Sequence, residues 1–124
     1  MSIRNCAATA LIALISAACV DGAHAQTLVD CRLPGIASSV RCGAISRPLD
    51  PARPAGRQIT IHYVVVPALA RRKLADPVFL LAGGPGQSAI ALAPALMPLL
   101  ARINNRRDIV FVDQRGTGKS APLM

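Results

Sequence analysis

The apolar positions of this chain fall into short runs separated by sharply punctuated loops. Cys6 to Val20 is an almost unbroken apolar run. Ile59 to Val66 is β-branched and partly alternating and stops at Pro67, which predicts a strand. Its alternation puts Ile59, Ile61, Tyr63 and Val65 on one face, and His62 on the other with Thr60 and Val64. Val78 to Ala82 is a second short apolar run, cut off by Gly83-Gly84-Pro85-Gly86, and reads as a buried strand. Beyond it, Ser88 is placed to cap a helix. Leu96, Leu99, Leu100 and Ile103 recur at helical spacing on one face, and Asn104-Asn105 end the segment. Pro94 and Pro98 argue against one long regular helix here, so a shorter one beginning near one of the prolines is expected. Asp108 to Asp113 is then another strand. Strand, helix and strand make a right-handed crossover with parallel strands, so the fold class is α/β.

At 124 residues there is room for one small domain. Its start is discounted: Arg4, the apolar run and Ala23-His24-Ala25 have the layout of a secretory signal peptide over residues 1–25. The run is too short to cross a bilayer comfortably. A periplasmic or extracellular location follows, with no stable membrane anchor after cleavage. A lipoprotein through Cys19 ranks lower, because Ser16 stands where a lipobox has Leu. Export leaves Cys31 and Cys42 where disulfides persist. One bridge around Pro34-Gly35 is the simplest use of them, worth about 2–3 kcal/mol. A metal site is the alternative, but two thiols without a nearby His or further Cys make a poor one, and no metal or cofactor is expected. Residues 26–56 read as an N-terminal loop region, with Arg47 to Arg57 a Pro/Arg/Ala/Gly loop, and 57–124 as the start of the α/β domain. The charge of +8 raises nucleic acid as a partner. Two Phe and one Tyr supply no stacking platform, and the arginines lie in loops, so a solvated surface is the better account.

The chemistry concentrates at two loops. Gly83, Gly84 and Gly86 have no Cβ and let a ligand come close to the backbone, while Pro85 stiffens the turn. The N–H groups of Gly84, Gly86 and Gln87 are left to point outward, an arrangement able to stabilise charge developing on a substrate oxygen. A plain strand-to-helix turn is the competing reading. Gly118-Lys119-Ser120 evokes a phosphate-binding loop, but the first Gly of that pattern falls on Asp113, which argues against nucleotide binding. His62 is a lone strand histidine, more often structural than catalytic.

Ala82-Gly83-Gly84-Pro85-Gly86-Gln87-Ser88 after one strand, with Asp113-Gln114-Arg115-Gly116-Thr117-Gly118-Lys119-Ser120 after the next, resembles the α/β-hydrolase branch of proline iminopeptidases and tripeptidyl-aminopeptidase-like exported peptidases. Ala82, where cytosolic members carry His, is more similar to the exported branch; Pro48-Leu49-Asp50 after a cysteine pair is also shared with it. The resemblance implies that the Gly84 N–H lines an oxyanion hole in a loop shaped by Gly83, Pro85, Gly86 and Gln87. It implies that Asp113, Arg115 and Gly116 support that loop. It implies a serine attacking an amide near a peptide's N-terminus through an acyl-enzyme. An esterase of the same fold and a non-catalytic binding module are the alternatives. No G-x-S-x-G elbow is present: Ser88 and Ser120 both lack the final Gly. The catalytic Ser, Asp and His of such an enzyme come later than the Asp-Gln-Arg-Gly loop. The chain is thus expected to be its N-terminal, truncated part, inactive alone, with a peptide or ester as the parent enzyme's substrate. In that family a third strand flanks Val78 to Ala82; without it this strand is an unprotected edge.

Overall fold

The structure is a computed structural model that describes residues 26–122. The expected signal segment, with Cys19 and His24, lies outside the described residues. The strands are β1 (Val29–Cys31), β2 (Val40–Pro48), β3 (Gln58–Val66), β4 (Val78–Leu81) and β5 (Ile109–Val112), with one helix, α1 (Ala89–Asn104), between β4 and β5. They form a single mixed sheet in the order β1-β2-β3-β5-β4. The β1–β2, β2–β3 and β3–β5 pairs are antiparallel, and β4–β5 is parallel across the α1 crossover. This is a partial α/β fold.

Residues 26–56 are less irregular than their composition suggested. β2 runs to Pro48, and eight of its residues pair with β3 from Arg41↔Val65 to Pro48↔Gln58, so the loop is confined to 49–57. Gly43 gives way to Tyr63: a Cβ at Gly43 would lie 2.3 Å from that ring. The β1–β2 register sets Cys31 opposite Val40 and Cys42 opposite Val29, a diagonal neighbour pair, and the two cysteines are bonded as a disulfide.

The helix departs most from expectation. It is one continuous segment of 16 residues with both Pro94 and Pro98 inside it. Each proline removes a donor, and in an exposed helix each would cost about 3 kcal/mol. Here the prolines are four apart, so the defects share one stripe. The rest of the helix is held from outside: Ala89 and Ala93 are fully packed against Val40, Val64, Val66, Ile109 and Phe111, with Leu96, Met97 and Leu100 alongside. Pro94 packs on Gly35, where a Cβ would sit 2.8 Å from its own. Tertiary packing overrides local propensity. The same packing corrects the expected apolar stripe: Leu96 and Leu100 face the sheet, while Leu99 is 80% and Ile103 40% exposed. Ser88 caps the helix as expected, its Oγ accepting from the Ala91 N–H at 3.0 Å.

The loop 67–76 is strapped to the start of β5. The Asp108 carboxylate accepts from the Ala68 N–H at 2.8 Å and pairs with the Lys73 ammonium. Burial pushes the Asp108 carboxyl up, but Lys73, the Ala68 N–H and the charge of Arg41 together hold it below its ordinary value. The stability it contributes is complete above the unfolded-state carboxylate value and is lost as pH falls through the lower folded value. Asp108→Asn should therefore destabilise the protein by ~1 kcal/mol at neutral pH, and its stability curve should converge on that of the parent from about pH 4 downward. Denaturant titrations across the acid range check this; parallel curves would remove Asp108 from the account.

β4 is an edge. Phe79 and Leu81 are 62% and 58% exposed on the face away from α1, and no proline or charge within the strand protects it. We expect the chain to self-associate through this edge, and Phe79→Lys with Leu81→Lys to suppress that association. Light scattering decides it: a monodisperse parent chain at high concentration would show that the edge is harmless.

Candidate functional site

The site is built where β4 and β5 end on the same side of the sheet. Gly83 to Gln87 leaves β4 and turns into α1, with the Gly84–Pro85 peptide cis and Gly86 at φ +82°. Gly84 has ordinary φ; its lack of a side chain answers to crowding instead. A Cβ there would lie 2.7 Å from the Gly86 nitrogen and 3.1 Å from that of Gln87, whereas one at Gly83 would meet nothing within 4 Å. The N–H groups of Gly84, Gly86 and Gln87 take no acceptor among the described residues, and the loop is exposed.

Asp113, the first residue after β5, is 2% exposed and joins the two loops. Its Oδ1 accepts from the Ser88 hydroxyl at 2.7 Å and from the Ile90 N–H at 3.1 Å. Its Oδ2 accepts a longer bond, 3.4 Å, from the Lys119 N–H. The first turn of α1 contains no acidic residue, so this carboxylate supplies from β5 the negative charge that a helix N-terminus favours. Gly118 makes room for it: at φ +50°, a Cβ there would fall 1.9 Å from Asp113 Oδ2. The 114–120 turn closes on itself through Thr117 N–H to Gln114 O, Ser120 N–H to Thr117 O and Gly116 N–H to Ser120 O. Its buried Ser120 Oγ accepts from the His62 N–H at 2.8 Å, which ties the turn to β3.

Of the residues singled out from sequence, Gly83 to Gln87 and Asp113 thus come together through Ser88. Gly116 lies in the turn at φ +81°, and Arg115 points elsewhere, donating to the Leu49 carbonyl at 3.1 Å. The Ser88–Asp113 bond and the Gly118 contact were missed in the sequence. The available signal was a serine at a helix start, facing a loop with an acid at its head. Beside the site is a cleft of about 450 Å³ lined by Arg32, Pro34, His62, Ser88, Asp113 and Lys119. It places a Ser, a His and an Asp on one surface, but no described hydrogen bond links the His62 ring to either partner. The Ser88 proton is engaged by Asp113 while its oxygen caps α1, which is the work of a structural hydroxyl. Among the described residues no cluster of three or more His, Cys, Asp or Glu is arranged to hold a metal.

No protein-family model matches the sequence. Curated proteins do. Carboxylesterase B of Mycobacterium tuberculosis and a hydrolase of Mycobacterium bovis are each 35% identical to the chain over 91 residues. The chain is similar to part of a hydrolase. The match covers 69% of this chain but only 16% of each relative, so the chain spans a small part of the length of the proteins it matches.

The Asp113 junction yields a direct test. In the Phe79→Lys/Leu81→Lys background, Ser88→Ala should cost ~1 kcal/mol and Asp113→Asn about 2–3 kcal/mol of stability. The double variant should cost clearly less than the sum, since both act through one hydrogen bond. Strict additivity in chemical denaturation would mean that the two residues are not coupled.

Proposed function

We propose that the chain forms the oxyanion-loop portion of an exported serine hydrolase that cleaves amide or ester bonds through an acyl-enzyme. The observation that carries this reading is the exposed loop after a strand. Its Gly84, Gly86 and Gln87 amides have no acceptor among the described residues, and the following helix is fixed by a buried carboxylate. Preorganised N–H donors stabilise the oxygen of a tetrahedral intermediate because they need not reorganise as charge develops. The Gly84 N–H is the donor assigned to that oxygen, and Asp113 acts as a positioning residue through Ser88 and α1. The nucleophile, its base and its acid would be contributed by sequence other than residues 1–124. Similarity to hydrolases supports the reaction class, and the Cys31–Cys42 disulfide fits an oxidising compartment.

The motifs resemble exported peptidases releasing N-terminal residues or short peptides, so an aminopeptidase is the first reading. The name carboxylesterase B carried by two relatives favours an esterase as the second. Residues 26–122, grafted in place of the matched segment of that carboxylesterase, should sustain turnover. Gly84→Ala in the graft should lower kcat by about 10²-fold with little change in KM. Relative rates on aminoacyl-nitroanilides and nitrophenyl esters separate peptidase from esterase. Turnover by the chain alone, abolished by Ser88→Ala or Ser120→Ala, would place the nucleophile within this chain and overturn the assignment.

A further inference from the structure

Six of the fourteen Lys and Arg residues gather at the end of the sheet opposite the glycine loop. Arg71, Arg72 and Lys73 lie between β3 and β4; Arg102, Arg106 and Arg107 lie at and just beyond the last turn of α1. Backbone hydrogen bonds fasten these segments together: Leu69 N–H to Asn104 O at 3.1 Å, Ala70 N–H to Asn105 O at 2.8 Å and Leu74 N–H to Arg106 O at 2.7 Å. The buried Asn104 amide adds donations to the Val66, Pro67 and Arg107 carbonyls. Asp108 and Asp76 pair with Lys73 and Arg107. Arg71, Arg72, Arg102 and Arg106 are exposed and have no acidic partner among the described residues.

Apolar side chains stand among these charges. Leu69 is 72% exposed, and Leu99 and Ile103, one helical turn apart, are 80% and 40% exposed. Leu69 is anchored by its own N–H to the carbonyl of Asn104, the residue after Ile103. Exposed aliphatic groups on the same segments as unpaired arginines suit one environment in particular, the interface of an anionic bilayer. There the guanidinium groups meet phosphates and the leucines enter the headgroup boundary. A nucleic acid would meet the same charge, but the exposed apolar side chains of the two cationic segments, Leu69, Leu99 and Ile103, are aliphatic and would be set against its phosphates.

We propose that this basic end is a docking surface for anionic phospholipid membranes, with Arg71, Arg72, Arg102 and Arg106 contacting phosphate and Leu69, Leu99 and Ile103 entering the interface. The cations are held by backbone hydrogen bonds, so docking orders only their side chains. β4 and β5 run away from this surface for roughly 13 Å, which leaves the glycine loop facing solution. The assignment is independent of the hydrolase reading.

Flotation of the full chain with lipid vesicles tests it. Binding is expected to vesicles of phosphatidylcholine containing phosphatidylglycerol, not to phosphatidylcholine alone, and should fall steeply with salt. Each cation near such a surface is worth roughly fivefold in affinity. Arg71→Glu with Arg72→Glu should therefore weaken binding by about 25-fold or more, and Arg102→Glu with Arg106→Glu, on the other segment, should do the same. Leu69→Ser with Leu99→Ser should weaken it at unchanged charge. Arg57→Glu, in the loop at the opposite end of the sheet, should leave it unaltered. Equal binding to neutral vesicles, no binding to anionic ones, or an Arg57→Glu effect as large as that of either pair would overturn the proposal. So would tighter binding to a short DNA duplex than to anionic vesicles at the same salt.

Discussion

A buried carboxylate without partners would be among the costliest groups in a domain of this size, and Asp113 avoids that cost only because other elements turn their donors toward it. Ser88 and Ile90 bring the start of α1, and Lys119 brings the far side of the 114–120 turn. The arrangement ties the end of β5 to the exit of the glycine loop without a hydrogen bond from the amides of Gly84, Gly86 and Gln87, which take no acceptor among the described residues. The dependence runs both ways. The helix start lacks an acid of its own and needs Asp113; Asp113 needs the helix start, because among the described residues no cationic side chain is hydrogen-bonded to it. Gly118 completes the constraint, since any side chain there would occupy the space of the carboxylate.

The sheet is covered unevenly. On one side Val64, Val66, Ile109 and Phe111 pack beneath Ala89 and Ala93. The small alanines bring α1 close to the strands and help a helix with two internal prolines to persist. On the other side Phe79 and Leu81 are open. The antiparallel β1–β2–β3 meander, stapled by its disulfide, supplies most of the sheet's length, while the parallel β4–β5 pair supplies the site.

The two ends of the β4–α1–β5 unit differ in character. At the carboxyl ends of the strands lie the uncommitted amides and the buried acid; at the other end lie arginines and exposed leucines, with Asp76 and Asp108 committed to local pairs. This polarity follows from the crossover itself, because one parallel unit places both strand exits together and both strand entries with the helix end.

Much of this was legible in the residues. The β-branched run 59–66 and the short apolar runs before Gly83 and Asp113 are strands because their side chains fit a pleated, buried surface and their ends carry turn residues. Asn104-Asn105 at the foot of an apolar helical segment mark the helix end and Ser88 is its cap, since capping is a local interaction, but the start was expected nearer one of the prolines. Two cysteines alone in 26–122 suggested one bridge, and it is present. Other features needed the assembled structure. β1 and β2 have short, mixed sequences whose strand state is stabilised by pairing with β3, a contact between residues far apart in the chain. Pro94 and Pro98 lower helical propensity locally, and only packing against the sheet overrides them. The outward turn of Leu99 and Ile103 depends on which side of α1 the sheet covers. Likewise, Asp113 could be read as a strand end, but its role as the acid of a helix that begins 24 residues earlier exists only once the crossover brings β5 beside the start of α1.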